Sequence, residues 1–297
     1  MLNNSVERRM KTGSAYRERI RRGWYRFSRS KLSVLGLALA LAIVFIALFA
    51  PLVAPYPEHA GPFVDFSNTC KPPSLAHPFG TDAMGRDILS RVFFAFRGAL
   101  LMAFVVLLIV VPVGTTVGLI GGYFEGTWFS TVIMRITDVF LAVPPLVLAL
   151  AIAALLRPTL MNSMIAVCVS WWPWYARLVY GMTVSVKNEP FVKAAELMGM
   201  NRFKIMFGEI LPNHLGPILT KMTLDVGWVI LTGASLSFVG LGEQPPTPAL
   251  GTMVSDGAKY LPTYWWISVF PALMIVVIIL AFNLLGDGIR EMLTSGE

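Results

Sequence analysis

The hydrophobic pattern of the chain is dominated by six stretches that contain no Asp, Glu, Lys or Arg. These stretches are residues 32–57, 98–124, 139–156, 158–176, 226–242 and 260–286. A helix needs about 17–25 apolar residues to cross roughly 30 Å of hydrocarbon, and every stretch reaches that range. The pattern therefore predicts an all-α integral membrane protein with six transmembrane helices.

Composition agrees with this fold class, and the distribution of charge orients it. Of 297 residues, 56% are hydrophobic and only 14% are charged, with a mean hydropathy of +0.67. Residues 1–31 hold ten of the 24 Lys and Arg but only two of the 17 acidic residues. Nucleic-acid binding would also explain a basic arm, but the positive-inside rule explains it together with the spans. We therefore expect both termini in the cytoplasm and no nucleic-acid partner.

The basic arm, residues 1–31, also carries apolar side chains at helical spacing. Tyr16, Ile20, Trp24 and Phe27 share one face, and arginines occupy the other faces. This arrangement is typical of an amphipathic helix at a lipid–water interface, with its arginines towards anionic headgroups. We expect an interfacial helix that contacts membrane lipid.

The stretches divide the rest of the chain into four segments. They are a first transmembrane helix at 32–54, an external segment at 55–97, a membrane core at 98–290 and a cytoplasmic tail at 291–297. The external segment is rich in Pro and Gly up to Gly85. An amphipathic helix is expected over residues 86–96. The core contains a polar cytoplasmic segment, residues 187–212, between the fourth and fifth spans.

Prolines interrupt three of the predicted spans. Pro112 lies in the second, Pro144 and Pro145 in the third, and Pro173 in the fourth. A proline leaves a carbonyl without its helical donor, and lipid cannot supply a replacement. The kinks either line a pathway through the membrane or are ordinary packing kinks.

Two pairs of opposite charges lie near the predicted cytoplasmic ends of spans. Arg135 and Asp138 are three residues apart, and Lys221 and Asp225 are four apart, so each pair can meet on one helix face. Ionisable residues inside a membrane indicate function by default. Mutual neutralisation is the favoured explanation, and contact with a transported solute is the alternative.

The residues that build metal and catalytic sites are scattered. The chain has two cysteines and three histidines, Cys70, Cys168, His59, His77 and His214. No HExxH, GxSxG or GxxxxGK[ST] motif occurs, and residues 80–87 imitate only the glycine spacing of a phosphate loop. We expect no disulfide, no metal and no bound nucleotide on this chain, and no enzymatic activity of its own.

The polar segment 187–212 has the most informative local pattern. Asn188 suits a helix N-cap and Pro190 suits a first turn, so residues 191–198 are expected to form two helical turns. Gly199 is placed to end this helix in the left-handed conformation. A short capped helix between two spans indicates a surface on which a partner docks.

A second short helix is expected over residues 201–211, ending at Pro212. The first helix offers a small flat surface at Ala194 and Ala195 and apolar anchors at Phe191, Leu197 and Met198. The alternative is a solvated loop with no special role, which the order of cap, helix, glycine, helix and proline disfavours.

The run from Lys193 to Gly199, continued by Ile210-Leu211-Pro212, resembles the EAA motif of ABC-importer membrane subunits. Further runs with the same resemblance are residues 77–91, 235–242, 244–248 and 281–288. Together they resemble the inner-membrane permeases of binding-protein-dependent dipeptide, oligopeptide and nickel importers, and in particular the second of the two paired permeases. Lys193 and Gly233 depart from the family pattern, since each replaces an acidic residue.

The resemblance implies a type I ABC-importer permease fold in a bacterial or archaeal inner membrane. It implies a homologous second permease, two cytoplasmic ATPase subunits that bind ATP and Mg, and an external substrate-binding protein. It also implies that the segment contacting the ATPase consists of Phe191, Lys193, Ala194, Ala195, Glu196, Leu197, Met198 and Gly199. The candidates for the pathway or its helix kinks are Pro144, Pro145, Pro173, Asp138 and Asp225.

Short peptides are the substrates that this resemblance favours, followed by nickel and by oligosaccharides. A stand-alone channel, a secondary transporter and a membrane enzyme remain as alternatives from other classes.

Overall fold

The computed structural model describes residues 21 and 23–293, and the regular structure of that part of the chain is helical. The longer helices are α1 (Lys31–Leu48), α2 (Ile88–Tyr123), α3 (Trp128–Leu141), α4 (Pro145–Ala154), α5 (Leu160–Val186), α6 (Pro190–Leu197), α7 (Leu211–Phe238), α8 (Leu250–Ala258) and α9 (Trp266–Leu293). Shorter helical turns lie at Ala50–Val53, Pro57–Ala60, Phe66–Asn68 and Arg202–Lys204, and a π-helix lies at Ile205–Ile210.

Four helical segments of the described chain are long and apolar enough to cross a membrane. They are α1, α2, residues 202–238 and α9. Helices α3 and α4 add a fifth span if they count as one, although they are bent by 84°. The remaining predicted span, the fourth (residues 158–176), falls in α5, which has 27 residues but is less apolar because Trp, Tyr, Ser and Asn residues occupy it.

The predicted boundaries of three spans were wrong. The helix expected over residues 86–96 is the first part of α2, which begins after the N-cap Asp87 and continues without a break for 36 residues. The fifth span begins at Arg202, well before the charge-free stretch. The third span is not straight, since the backbone turns at Pro144, which precedes α4. By contrast, Pro112 and Pro173 lie inside unbroken helices.

Helices α2 and α5 make the most extensive contact in the bundle, through glycines spaced four residues apart. A Cβ atom at Gly114 would lie 2.5 Å from the Tyr175 Cβ, and one at Gly118 would lie 2.3 Å from the Ala176 carbonyl oxygen. Gly122 is similarly close to Thr183. Small residues at this spacing let two membrane helices approach backbone to backbone.

Helix α9 packs against α1, α7 and α8. A Cβ atom at Gly36 of α1 would lie 2.6 Å from the Leu284 Cβ, so these backbones are also close. Residues 23–29 are helical and lie against the end of α9, since a Cβ atom at Gly288 would lie 2.5 Å from the Phe27 ring. Phe27 is 3% exposed and stacks on Trp24. The arm therefore uses part of its apolar face on the protein itself. Tyr16 and Ile20 lie outside the described residues.

A polar network centred on Asp87 organises the segment before α2. The Asp87 carboxylate accepts hydrogen bonds from the Ser90 N–H and hydroxyl, each at 2.7 Å, and lies 2.9 Å from His77 Nδ1. The Asp87 N–H donates to His59 Nδ1 at 2.7 Å. The Arg91 guanidinium donates to the His59 carbonyl at 3.0 Å. These bonds fix the segment over the start of α2.

His59 is the titratable group on which this network depends. Its ring is 6% exposed and stacks between Tyr56 and Phe63, with centroid distances of 5.0 and 4.1 Å. Because Nδ1 accepts a hydrogen bond, the imidazole must be neutral. Burial lowers the pKa of His59 below its ordinary value of 6.5. The folded segment therefore resists protonation at this ring.

We predict that the segment before α2 loses stability in acid. Above about pH 6.5 the His59 ring is neutral in the folded and unfolded states. Below that pH the unfolded chain takes up the proton first, which reduces stability by up to about 1.4 kcal/mol per pH unit. Protease cleavage of residues 55–87 in nanodiscs should rise as the pH falls from 7 to 5. His59→Asn keeps an acceptor without the titration, so an equal rise in this variant would contradict the prediction.

We also predict that Gly118→Ala weakens the contact between α2 and α5. The new methyl group would meet backbone atoms of α5, and overpacking of this kind costs roughly 1–3 kcal/mol. Gly181→Ala is the matched control, since no atom lies within 4 Å of its Cβ position. Thermal unfolding should occur at a lower temperature for Gly118→Ala than for Gly181→Ala. Equal unfolding temperatures would show that the two helices are not in close contact.

Candidate functional site

Helix α6 ends at the predicted glycine, but it begins at a different N-cap residue, whose side chain makes no capping hydrogen bond. Glu189, not Asn188, is the N-cap, because the residue before Pro190 is restricted to an extended conformation. The helix ends at Leu197, and Gly199 has φ +74° as predicted. The Gly199 N–H donates to the Glu196 carbonyl at 2.9 Å, which closes the last turn.

The predicted second helix is not a separate element. Asn201 caps it, with its side-chain oxygen accepting the Phe203 N–H at 2.9 Å. The helix then continues through the π-helix into α7, giving 37 residues from Arg202 to Phe238. The expected break at Pro212 was wrong, since the helix continues past this proline directly after the π-helix. The segment after α6 is therefore joined directly to a membrane span.

Helix α6 presents one apolar face to its own protein and another to solvent. Val192 is fully buried and Ala195 is 3% exposed, so Ala195 does not belong to the open surface that the sequence suggested. The predicted contact residues that are exposed are Phe191, Lys193, Ala194, Glu196, Leu197, Met198 and Gly199. Leu197 and Met198 are 89% and 73% exposed, which is unusual for large apolar side chains in an ordered helix.

Two polar contacts join the end of α2 and the turn after it to α6 and to the end of α5. The Tyr123 hydroxyl donates to the Glu196 carboxylate at 3.1 Å. The Lys187 ammonium lies 2.7 Å from the Glu125 carboxylate. Sequence reasoning missed these partners, because residues 123 and 196 are far apart in the chain. The only signal was that Tyr123 and Glu125 lie in a glycine-rich stretch between two predicted spans.

Lys193, which departs from the family pattern, has a local role. Its ammonium lies 3.2 Å from the Glu196 carboxylate, one turn along α6. Together with the Tyr123 bond, this contact lowers the pKa of Glu196 below its ordinary value. Glu196 therefore stays ionised, and α6 carries a neutralised pair on its exposed face.

Asp225 lies in a buried cluster between α5 and α7. It is 4% exposed, and its carboxylate lies 3.0 Å from the Lys221 ammonium, as the sequence predicted. It also accepts a hydrogen bond from the Trp171 indole of α5 at 3.3 Å. The Lys221 ammonium lies 5.1 Å from the centre of the Tyr175 ring. The carboxylate thus cross-links two helices as well as neutralising a charge.

Asp138 belongs to a different pair from the predicted one. Its carboxylate lies 3.6 Å from the Arg177 guanidinium of α5, whereas Arg135 points to the exposed side of α3. Both groups of the actual pair are partly exposed, and such pairs contribute little stability. The pathway role of Asp138, Asp225 and the prolines 144, 145 and 173 stays a prediction.

Two family profiles match the chain. Residues 114–296 match the family described as binding-protein-dependent transport system inner membrane component. Residues 19–73 match the N-terminal transmembrane domain of oligopeptide transport permease C.

Individual relatives match over nearly the whole chain. A dipeptide transport system permease of Alkalihalophilus pseudofirmus is 39% identical, covering 92% of this chain and 88% of the relative. A di/tripeptide transport system permease of Pseudomonas aeruginosa is 40% identical, covering 91% and 90%. A glutathione transport system permease of Pectobacterium atrosepticum is 38% identical, covering 91% and 89%.

A solved structure supports the fold. The chain is similar to an inward-facing MetNI methionine ABC transporter chain with a TM-score of 0.54 and 18% identity. The match covers 66% of this chain and 93% of that chain.

We predict that the Lys221–Asp225 pair behaves as a coupled unit in stability measurements. Lys221→Met leaves a buried carboxylate without its cation, which costs roughly 3–5 kcal/mol. Asp225→Asn should cost less, because the Lys221 side chain is 26% exposed and reaches solvent. The double variant should unfold at a higher temperature than Lys221→Met alone. Additive losses in thermal unfolding would contradict this coupling.

Proposed function

The chain belongs to the family of binding-protein-dependent transport system inner membrane components, and we propose that it is one permease subunit of an ATP-driven importer of short peptides. The named relatives that span nearly all of the chain support the peptide substrate, since they are permeases for dipeptides, di/tripeptides and glutathione. On this proposal the protein forms half of the pathway and has no enzymatic activity of its own.

The partners of this subunit would be a homologous second permease, two cytoplasmic ATPase subunits and an external substrate-binding protein. ATP and Mg would bind to the ATPase subunits. The similarity to a methionine ABC transporter chain and the family description support a complex of this kind. We place α6 and both termini in the cytoplasm. Helix α5 and the bent α3–α4 pair would be two further transmembrane spans, in addition to the four long apolar segments, which gives six.

The observation that carries the proposal is the exposed apolar surface of α6, a helix that packs on the rest of the protein through Val192 and Ala195. Leu197 and Met198 project from the end of a helix that Gly199 terminates, and Phe191 is 42% exposed on the same helix. We call the surface formed by Phe191, Leu197 and Met198 the apolar knob. On the proposal it fits a groove of an ATPase subunit. Because the chain runs from α6 through a short capped turn into a 37-residue helix, movement of the knob tilts α7.

We predict that charges on this knob uncouple the complex without unfolding the permease. Leu197→Asp with Met198→Asp removes apolar contacts worth about 1.5–3 kcal/mol each when buried. The variant should lose the ATPase subunits on purification, and ATP-dependent peptide uptake in proteoliposomes should fall at least about tenfold.

The matched control is Leu75→Asp, the same change at a fully exposed leucine in the external segment. This variant should keep the ATPase subunits and unfold at the wild-type temperature. Retention of the ATPase subunits by the Leu197→Asp, Met198→Asp variant, with unchanged uptake, would overturn the coupling role of α6.

A further inference from the structure

A cavity of about 570 Å³ lies at the end of the bundle opposite α6. It is bounded by the first third of α2, the start of α5, the end of α7 and the loop before α8. Its volume is within the range of about 300–1,000 Å³ that small-molecule sites occupy. Most of its lining is apolar or glycine, and its polar side chains are Arg97, Ser237, Glu243 and Thr247.

Arg97 and Glu243 are the charged residues of this lining, and they have opposite signs. Arg97 is exposed and Glu243 is partly exposed. Among the described residues neither side chain forms an ion pair, with the other or with a third group, whereas Asp82, Asp138 and Asp225 each have a cationic partner. Two opposite charges that face one cavity without neutralising each other complement a ligand that itself carries both charges.

We infer that this cavity binds a zwitterionic short peptide, with the Arg97 guanidinium on its terminal carboxylate and the Glu243 carboxylate on its terminal ammonium. The inference rests on the proposed function. It adds which groups of the substrate this chain recognises, namely the two charged termini. A guanidinium pairs with a carboxylate through two parallel hydrogen bonds, which sets the orientation of the peptide. The apolar walls then accept side chains of differing size.

Two glycines of the lining differ in the space beside them. A Cβ atom at Gly98, next to Arg97, would meet no atom within 4 Å, so a side chain there projects into free space. A Cβ atom at Gly233, on the facing helix, would overlap the Met102 sulfur. Gly98 is therefore a position at which the cavity can be filled without disturbing the packing of the bundle.

A phospholipid is the competing occupant. Arg97 also lies at one end of an apolar groove of about 860 Å³, which continues along α1, α2 and α9 as far as Pro112 and Phe282. A phospholipid could place an acyl chain in this groove and its phosphate on Arg97. Glu243 does not line this groove, and a lipid phosphate leaves its carboxylate unused. The presence of both charges in one cavity favours the peptide.

The test is uptake of one dipeptide by the complete importer in proteoliposomes, with the dipeptide delivered on the same wild-type binding protein. Arg97→Gln and Glu243→Gln should each lower the uptake rate at least tenfold, while ATP hydrolysis stimulated by the loaded binding protein is retained. The exchange Arg97→Glu with Glu243→Arg should recover part of the lost rate, because a zwitterion can bind in reverse. Gly98→Leu should block uptake with no fall in unfolding temperature.

The matched control is Arg157→Gln, which removes the same charge from the same end of the bundle but outside the cavity, at an exposed residue. Uptake by this variant should equal that of the wild type. Arg97→Gln behaving like Arg157→Gln would overturn the inference. So would a phospholipid that copurifies with the wild type and is lost from Arg97→Gln, with uptake unchanged. Absence of ATP-dependent uptake by the wild-type importer would instead overturn the proposed function.

Discussion

The unbroken helix from Arg202 to Phe238 is the constraint on which the rest of the account depends. A helix of 37 residues is about 55 Å long and cannot shorten without breaking backbone hydrogen bonds. In hydrocarbon those bonds have no substitute in the solvent, so the helix moves as a unit. On the proposed function, a displacement at Asn201, next to α6, is carried along this helix. The local π-helix at Ile205–Ile210 lets the chain pass Pro212 without a break.

The remaining contacts determine which other elements move with it. The Tyr123–Glu196 contact ties α6 to the end of α2, and the Lys187–Glu125 contact ties the end of α5 to the turn that follows α2. Glycines of α2 place its backbone against α5, and the buried Asp225 carboxylate joins α5 to α7. The result is a closed set of helices in which α6 is attached to two spans at once. The inferred peptide cavity lies at the far end of the same helices, where a change in tilt alters its width.

Local chemistry could be predicted from the sequence, and contacts between distant segments could not. Gly199 acts within one turn of the chain, so its role as helix terminator was predicted, whereas the N-cap of α6 was predicted one residue early, at Asn188 instead of Glu189. Span boundaries were misjudged because a charge-free stretch ends at the first charge, whereas a helix continues through Arg91 and Arg97 when their side chains find partners or solvent. The burial of Ala195 and the pairing of Asp138 with Arg177 depend on how helices pack, which one sequence does not contain.

The central claim, that the apolar knob on α6 seats against an ATPase subunit, is tested most directly by a photoreactive amino acid at Leu197 in native membranes. Irradiation of the assembled importer should join this chain to an ATPase subunit, and the yield should change when ATP is added. The same probe at Leu75 should give no such product. Reaction at position 197 with water or lipid alone, in a complex that still hydrolyses ATP, would contradict the account.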